Sequence, residues 1–200
     1  MSLWQQILSL DRQAFLAING AHAPWADSLL WTVSDLRLWI PLYLFFLFLI
    51  QRRWGWRGLG ISVPVIAAMI LCSDSGSVLL FKDAVQRLRP SHVAELQGAI
   101  HLLPGADGAP YRGGTFGFVS SHASNHFAIA LFMIGLLGGL PRWSTVALLF
   151  WAALIAYSRV YIGVHYPGDV LAGALYGAAI GILFSLLFRR IALRAPSSSA

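Results

Sequence analysis

Long apolar stretches separated by short charged clusters run through most of the chain. Residues 38–51, 113–141, 143–158 and 170–188 contain no Asp, Glu, Lys or Arg, and residues 58–81 contain a single charge, Asp74. A helix needs about 20 mostly apolar residues to cross the hydrocarbon core of a bilayer. The pattern therefore predicts five transmembrane helices, at residues 36–51, 59–81, 124–140, 145–157 and 169–188.

The first 35 residues have a different pattern, in which apolar side chains recur at near-helical spacing between polar ones. This spacing predicts an amphipathic helix that lies at the outer membrane interface. Its apolar positions are Leu3, Ile7, Leu10, Phe15 and Ile18. After a break at residues 20–24, residues 25–33 are predicted to form a second short helix.

Together these elements predict an all-α fold, an integral membrane helical bundle with about five transmembrane helices and an N-terminal interfacial helix. We expect a single membrane domain over residues 1–195, with interfacial helices at 1–35 and the transmembrane bundle at 36–188. The Ser-rich stretch 196–200 is expected to be a disordered tail.

Composition supports a membrane protein and excludes several other classes. Apolar residues make up 58% of the chain and charged residues 11%, whereas about a quarter of a soluble domain is charged. The net charge of +6 is not arranged as a basic stripe with interleaved aromatic residues, so nucleic acid is not an expected partner. The one cysteine, Cys72, lies in an apolar segment and offers neither an intrachain disulfide nor a cysteine-based metal cluster.

The distribution of arginine predicts the orientation in the membrane. One set of connections carries seven arginines and no acidic residue: Arg52, Arg53, Arg57, Arg142, Arg189, Arg190 and Arg194. By the positive-inside rule this side is cytoplasmic. The opposite side receives the N-terminal 35 residues and the connections 82–123 and 159–168, so the N-terminus is expected outside and the C-terminus inside.

Polar residues collect at the predicted outer ends of four spans, and their spacing indicates a binding site for an anion. Lys82 and Arg89 are seven residues apart, which places them on nearly the same helix face. Ser120 is a natural cap for the third span, where free backbone N–H groups favour a phosphate. The full set is Lys82, Arg89, Ser120, His122, Arg159, His165 and Asp169.

The spacing of His165 and Asp169 suggests a nucleophile with its partner. Pro167 suits the first position of the fifth span, so Asp169 falls in the first helical turn and His165 just before it. A carboxylate at that place can accept a hydrogen bond from one imidazole nitrogen and raise the nucleophilicity of the other.

Three motifs in this order resemble the signature of the type 2 phosphatidic acid phosphatase (PAP2) family. They are Lys82-x6-Arg89-Pro90, Ser120-x-His122 and Ser158-Arg159-x5-His165-x3-Asp169. The chain is similar in length to small five-span bacterial members that act on undecaprenyl diphosphate. One position departs from the family pattern: the usual Pro-Ser-Gly-His is Val119-Ser120-Ser121-His122 here.

The resemblance implies a role for each of these residues. His165 would attack phosphorus and form a phosphohistidine, Asp169 would orient it, and His122 would protonate the leaving oxygen. The phosphate would be bound by Lys82, Arg89, Ser120, Ser121 and Arg159. The scheme needs no metal and no other cofactor. The resemblance and the orientation place the site at the outer face of a bacterial plasma (inner) membrane, facing the periplasm or exterior.

Several alternatives stay open at this point. Undecaprenyl diphosphate is the favoured substrate, with phosphatidylglycerophosphate, phosphatidate and lipid A phosphates as others. The same chemistry would also serve a lipid phosphotransferase, and a non-catalytic lipid-binding protein is a third hypothesis. The expected partners are the lipid phosphate and membrane lipids, and the oligomeric state is not predicted.

Three further polar residues are interpreted individually, two of them in two ways. Asp74 either supports the site or serves helix packing, and His126 either supports the site or bonds a neighbouring helix. Arg87 is interpreted as an anchor at the membrane surface. Residues 91–118, rich in Gly and Pro, are expected to fold over the site.

Overall fold

The computed structural model describes residues 2–194, and the predicted tail at 196–200 lies outside them. Among residues 2–194 the regular elements are all helices, with no β-strand, and residues 97–120 form an irregular connection. Its α-helices are α1 (Leu3–Gly20), α2 (Pro24–Ser34), α3 (Ile40–Gly76), α4 (Asp83–Val85), α5 (Ser121–Leu137), α6 (Arg142–Tyr161) and α7 (Pro167–Arg194). A π-helical stretch, Ser77–Lys82, joins α3 to α4, and short 3-10 turns occur at Leu36–Trp39, Pro90–His92 and Ala94–Leu96.

Helix α3 consists of two arms that meet at Gly55. This residue has φ +68°, a conformation that glycine adopts without the steric cost of a side chain. In the first arm, α3a (residues 40–54), Tyr43 bonds His126 near the start of α5, and Trp54 bonds Leu136 near its end. Arm α3a therefore runs in the same direction as α5.

The second arm, α3b (residues 56–76), runs the opposite way. Its end lies beside the start of α5, where Ser73 bonds Ser124 at 2.6 Å. Ser77, in the π-helical stretch that follows, bonds Ser121 at 2.6 Å. The chain thus reverses at Gly55, and the two arms correspond to the first two predicted spans.

Length and apolar composition mark three described helical stretches as able to cross a membrane: Leu36–Val85, Arg142–Tyr161 and Pro167–Arg194. Helix α5 is apolar but shorter, with 17 residues. Because the first stretch contains both arms of α3, all five predicted spans occur as helices. The end of α5 comes three residues before the predicted one, since Gly138 and Gly139 have positive φ values and Pro141 follows.

Helices α5 and α7 form the centre of the bundle through a ridge of glycines on α7. Gly173, Gly177 and Gly181 face α5 at four-residue spacing. A Cβ atom at any of these positions would overlap a backbone carbonyl oxygen of α5 or of its cap. Small residues at this spacing let helix backbones approach closely, as is common between helices in membranes.

Helices α1 and α2 cover the end of the bundle at which α7 begins. Phe15 of α1 is fully buried, and Asn19 Nδ2 donates to the carbonyl oxygens of His101 and Tyr161 at 2.8 and 2.7 Å. The first turns of α1 instead expose apolar side chains: Leu3, Trp4, Ile7 and Leu10. The two predicted N-terminal helices are present, and their location at a membrane interface stays a prediction.

Candidate active site

His165 and Asp169 lie where α6 gives way to α7. Gly163, with φ +84°, turns the chain between the two helices, and Pro167 begins α7. His165 is 1% exposed, and its Nδ1 lies 3.5 Å from Oδ2 of the fully buried Asp169. The backbone N–H of Tyr166 donates to the same oxygen at 3.0 Å. His165 Nδ1 has no hydrogen-bond partner within residues 2–194, and Asp169 is the carboxylate that lies beside it.

The surroundings of His165 favour its neutral form. Burial lowers the pKa of His165 well below its ordinary value, and the nearby cations Arg89, Arg159 and Lys82 lower it further. Both effects favour the unprotonated imidazole, which is the state required of a nucleophile.

Arg87 holds the other oxygen of Asp169, a contact that sequence reasoning missed. Its Nη1 donates to Asp169 Oδ1 at 2.9 Å and its Nη2 to Asp11 Oδ2 at 2.7 Å. The guanidinium also lies over the ring of Tyr166, 4.0 Å from the centroid. Asp11 accepts a further hydrogen bond from Gly168 N at 2.7 Å. Arg87 thus joins α1 to the first turn of α7 instead of anchoring the surface.

Arg89 enters the site from the connection between α4 and α5. Its backbone is extended (φ −65°, ψ 152°), as expected of a residue before proline. Its Nε donates to Phe116 O at 3.1 Å, and among residues 2–194 neither of its Nη groups has a hydrogen-bond partner. Burial, and then the charge of Arg159, lower the pKa of Arg89 to about 10. The two Nη groups are therefore available for an anion.

Lys82 and the two serines meet at the start of α5. Lys82 Nζ donates to Ser121 Oγ at 2.6 Å, and that hydroxyl also bonds Ser77 Oγ. Ser120 caps α5 by accepting from Ala123 N, as predicted from the sequence. Its own N–H donates to the backbone oxygen of Asp169 at 2.9 Å. The first turns of α5 and α7 are thereby fixed to each other.

Arg159 is 4% exposed and is held by residues that the sequence did not single out. Its Nη1 donates to Ser34 Oγ at the end of α2, and its Nη2 donates to Tyr111 Oη at 3.1 Å. Its Nε is buried and has no hydrogen-bond partner within the described part of the chain. Since Tyr111 belongs to residues 91–118, this segment reaches over the site.

His122 and His126 lie one turn apart on α5 and differ in their surroundings. His122 is half-buried and borders the site beside both Arg89 and Arg159. His126 is buried, with Nδ1 2.7 Å from His122 O and Nε2 3.2 Å from Tyr43 Oη. Both ring nitrogens of His126 have protein partners, which favours the helix-bonding interpretation.

A cavity of about 590 Å³ leads from these residues into the bundle between α5 and the two arms of α3. Arg89, Ser121 and His122 line it at the polar end. Further along, its walls are mostly apolar side chains, among them Phe46, Ile66, Met69, Phe132 and Met133. The arrangement can hold an anionic group at its mouth and a hydrocarbon chain below.

Comparison with known proteins finds a matching family model and several related proteins. The family model of the PAP2 superfamily matches residues 61–192. The chain is 33% identical to the lipid A 4′-phosphatase of Bacteroides thetaiotaomicron over 194 residues, which is 95% of this chain and 82% of the relative. It is 30% identical to the undecaprenyl-diphosphatase of Sulfolobus acidocaldarius, over 73% of this chain and 61% of that protein.

The fold is also that of a solved structure. A transmembrane PAP2 type phosphatidylglycerolphosphate phosphatase from Bacillus subtilis superposes with a TM-score of 0.65. The match covers 97% of this chain and 90% of that chain at 18% sequence identity. This likeness bears on the fold alone.

Proposed function

The chain belongs to the PAP2 superfamily and is a membrane lipid phosphatase, and we propose that it removes a phosphate from an acylated sugar lipid of the lipid A type. The observation that carries this proposal is the cavity, which connects His122 and Arg89 with an apolar interior. A lipid phosphate fits this cavity, with its phosphate at the polar end and its hydrocarbon in the apolar interior. The similarity to a lipid A 4′-phosphatase over most of both chains supports the choice of lipid.

Undecaprenyl diphosphate, which the sequence favoured, is the second candidate. An undecaprenyl-diphosphatase is among the relatives, and the apolar walls of the cavity suit a polyprenyl chain. The match to that relative covers less of both chains than the match to the lipid A 4′-phosphatase does. We therefore place it after the sugar lipid.

In the proposed reaction, Nε2 of neutral His165 attacks phosphorus and the bond between phosphorus and the leaving oxygen breaks. His122 donates a proton to that oxygen, and the lipid alcohol leaves. Water then attacks the phosphohistidine and gives a proton to His122. The phosphorus–nitrogen bond breaks, inorganic phosphate is released, and both histidines return to their starting states.

The cations stabilise the charge that spreads over the phosphoryl oxygens during transfer. Arg89 contributes the two unpartnered Nη groups, Lys82 contributes its ammonium group beside Ser121, and Arg159 lines a pocket with His122. Asp169 positions His165 through Nδ1 and is itself fixed by Arg87. These groups come from the π-helical stretch, the connection between α4 and α5, helix α6 and the turn into α7, all at one end of the bundle.

We further propose that this end faces the exterior. The arginines assigned to the cytoplasmic side lie at the opposite end, where Arg53 Nε bonds Leu137 O and Arg189 Nη1 bonds Gly135 O. A cysteine introduced at Gly105 should react with an impermeant thiol reagent added to intact cells. Protection until the membrane is opened would contradict the orientation.

The function is tested by phosphate release from a panel of purified lipids. Wild type and His165→Ala are compared on lipid A, undecaprenyl diphosphate, phosphatidate and phosphatidylglycerophosphate. We expect release from lipid A to be fastest and to be abolished in His165→Ala. Preferential turnover of undecaprenyl diphosphate would select the second candidate, and a phosphorylated acceptor lipid in place of inorganic phosphate would indicate a transferase.

A substrate whose leaving group needs no protonation distinguishes the roles of the two histidines. Loss of a general acid costs about 10²- to 10⁴-fold, and a leaving group that departs without protonation removes this cost. His122→Ala should therefore recover most of its activity on a nitrophenyl phosphate ester, whereas His165→Ala should stay inactive. Equal recovery of both variants, or of neither, would contradict the assignment.

A further inference from the structure

The wall of the cavity carries two polar side chains that the reaction above does not use. Asp74 lies on α3b and Asn125 on α5, and Asn125 Nδ2 donates a hydrogen bond to Asp74 Oδ1 at 3.2 Å. Both line the cavity that begins at Arg89 and His122. An ionisable side chain within a membrane-spanning helix is costly and usually faces a polar partner or pathway. The pair is therefore a polar point on the cavity wall, which Tyr43 and His126 also line.

Most of the hydrogen-bonding capacity that this pair leaves open is that of acceptors, beside the second N–H of Asn125 Nδ2. Asn125 Oδ1 is buried and has no partner among residues 2–194. Within the same residues, Asn125 is the one hydrogen-bond partner of the Asp74 side chain. A carboxylate accepts hydrogen bonds and does not donate them. A ligand that completes the pair must bring hydroxyl or amide N–H donors.

The distance from the phosphate end narrows the class of ligand. Asn125 follows Ser121 by four residues on α5, a rise of about 6 Å, and Ser121 accepts from Lys82. In a phosphorylated N-acyl amino sugar, hydroxyl and amide N–H groups lie a few bonds from the phosphate. In a polyprenyl phosphate the same positions are hydrocarbon, and in phosphatidate they are ester oxygens, which only accept.

We propose that Asp74 and Asn125 form a subsite that selects lipid phosphates with a hydroxyl or amide N–H beside the phosphate, as in an acylated amino-sugar phosphate. The inference rests on the proposed phosphatase function and adds two residues that determine its specificity. A pocket that bonds a donor of its substrate rejects an analogue that lacks it, because its own polar groups are then left unpaired.

The test is a specificity ratio measured on the purified full-length protein. kcat/KM is determined for a phosphorylated N-acylglucosamine lipid and for a polyprenyl phosphate of similar length. The ratio of the two values should fall about tenfold in Asp74→Asn and in Asn125→Leu, the effect of losing about one hydrogen bond to the substrate. Ser75→Ala, which removes a neighbouring hydroxyl on the same helix, is the matched control and should keep the ratio within about twofold.

The outcomes separate this inference from the function on which it rests. Variants that lose activity on both substrates equally leave the ratio unchanged, which overturns the subsite but not the phosphatase. If wild type cleaves the polyprenyl phosphate and not the sugar lipid, the subsite is likewise overturned and the phosphatase function stands. Absence of phosphate release from every lipid overturns both.

A second measurement needs no variant. The dephosphorylated N-acylglucosamine lipid should inhibit wild type at about tenfold lower concentration than an alkyl alcohol of equal chain length, since its donors reach Asp74 and Asn125. Equal potency of the two inhibitors overturns the subsite.

Discussion

Arg87 donates a hydrogen bond to the carboxylate of Asp169, with Nη1 2.9 Å from Oδ1. Its second bond, to Asp11, brings α1 into the support of the same carboxylate. The part of the chain matched by the superfamily begins at residue 61, so Asp11 lies outside it. The N-terminal helix is therefore linked to His165 through the side chains of Arg87 and Asp169.

Replacing Asp11 by Asn should lower kcat about tenfold and leave KM within about twofold. The change removes one charge of the ion pair with Arg87 and loosens the support of Asp169, an effect of about 1–3 kcal/mol for a partly buried charged hydrogen bond. Steady-state kinetics on the lipid phosphate measures it, and Asp11→Glu should recover part of the loss. Glu95→Gln, at an exposed carboxylate, is the control, and an equal loss there would argue against a specific role for Asp11.

Gly117→Ala should lower activity more than tenfold, the effect of a displacement costing over about 1.4 kcal/mol. A Cβ at this position would lie 2.9 Å from Asp169 Oδ2 and 3.2 Å from Arg89 Cγ, so the carboxylate or the arginine must move. Gly114→Ala provides the comparison, because its Cβ would lie 4.0 Å from Arg89 Nη2, an ordinary contact. Similar rates for the two variants would show that this close approach is not needed for catalysis.

In the pH profile of phosphoenzyme formation, the loss of rate at acidic pH (the acidic limb) should occur below pH 6.5, the ordinary pKa of histidine. Burial and the three nearby cations lower the pKa of His165, so the proton that blocks attack binds only at lower pH. Single-turnover labelling at saturating substrate measures the limb. In Arg89→Gln it should move to higher pH, since one of those cations is gone, whereas a limb set by ionisation of the substrate would stay in place.

Gly177→Ala should lower the free energy of unfolding by about 1–3 kcal/mol, as expected when a closely packed contact is overfilled. Its Cβ would overlap the backbone of Ser124. Gly60→Ala is the matched variant on α3b, where no atom lies within 4 Å, and helix propensity predicts unchanged or higher stability there. Thermal unfolding in detergent compares them, and equal melting temperatures would contradict the role given to the glycine ridge.

Apolar runs were sufficient to predict the five spans, because the cost of exposing polar groups to lipid leaves few alternatives. Their ends were less predictable, since they depend on local turn chemistry. Residues 138–141, for example, end α5 through two glycines and a proline. The place where α3 reverses also depends on local backbone conformation, because the chain turns at the single residue Gly55, which has a positive φ.

The candidate site was predictable where its residues share short motifs and unpredictable where they meet across the fold. His165 and Asp169 are four residues apart, and their pairing follows from helical spacing. Asp11 lies 76 residues from Arg87 in the sequence, and Tyr111 lies 48 from Arg159. No periodicity relates such pairs, so only the packing of α1 and of residues 91–118 brings them together.

The glycine ridge of α7 also limits how a lipid can enter. Since α5 and α7 touch backbone to backbone, and Ser120 N bonds Asp169 O between their first turns, the two helices hold His122, on α5, and His165, just before α7, at a fixed separation. Moving α5 away from α7 would break these contacts. The cavity lies instead between α5 and the arms of α3, so a lipid can occupy it without parting α5 from α7.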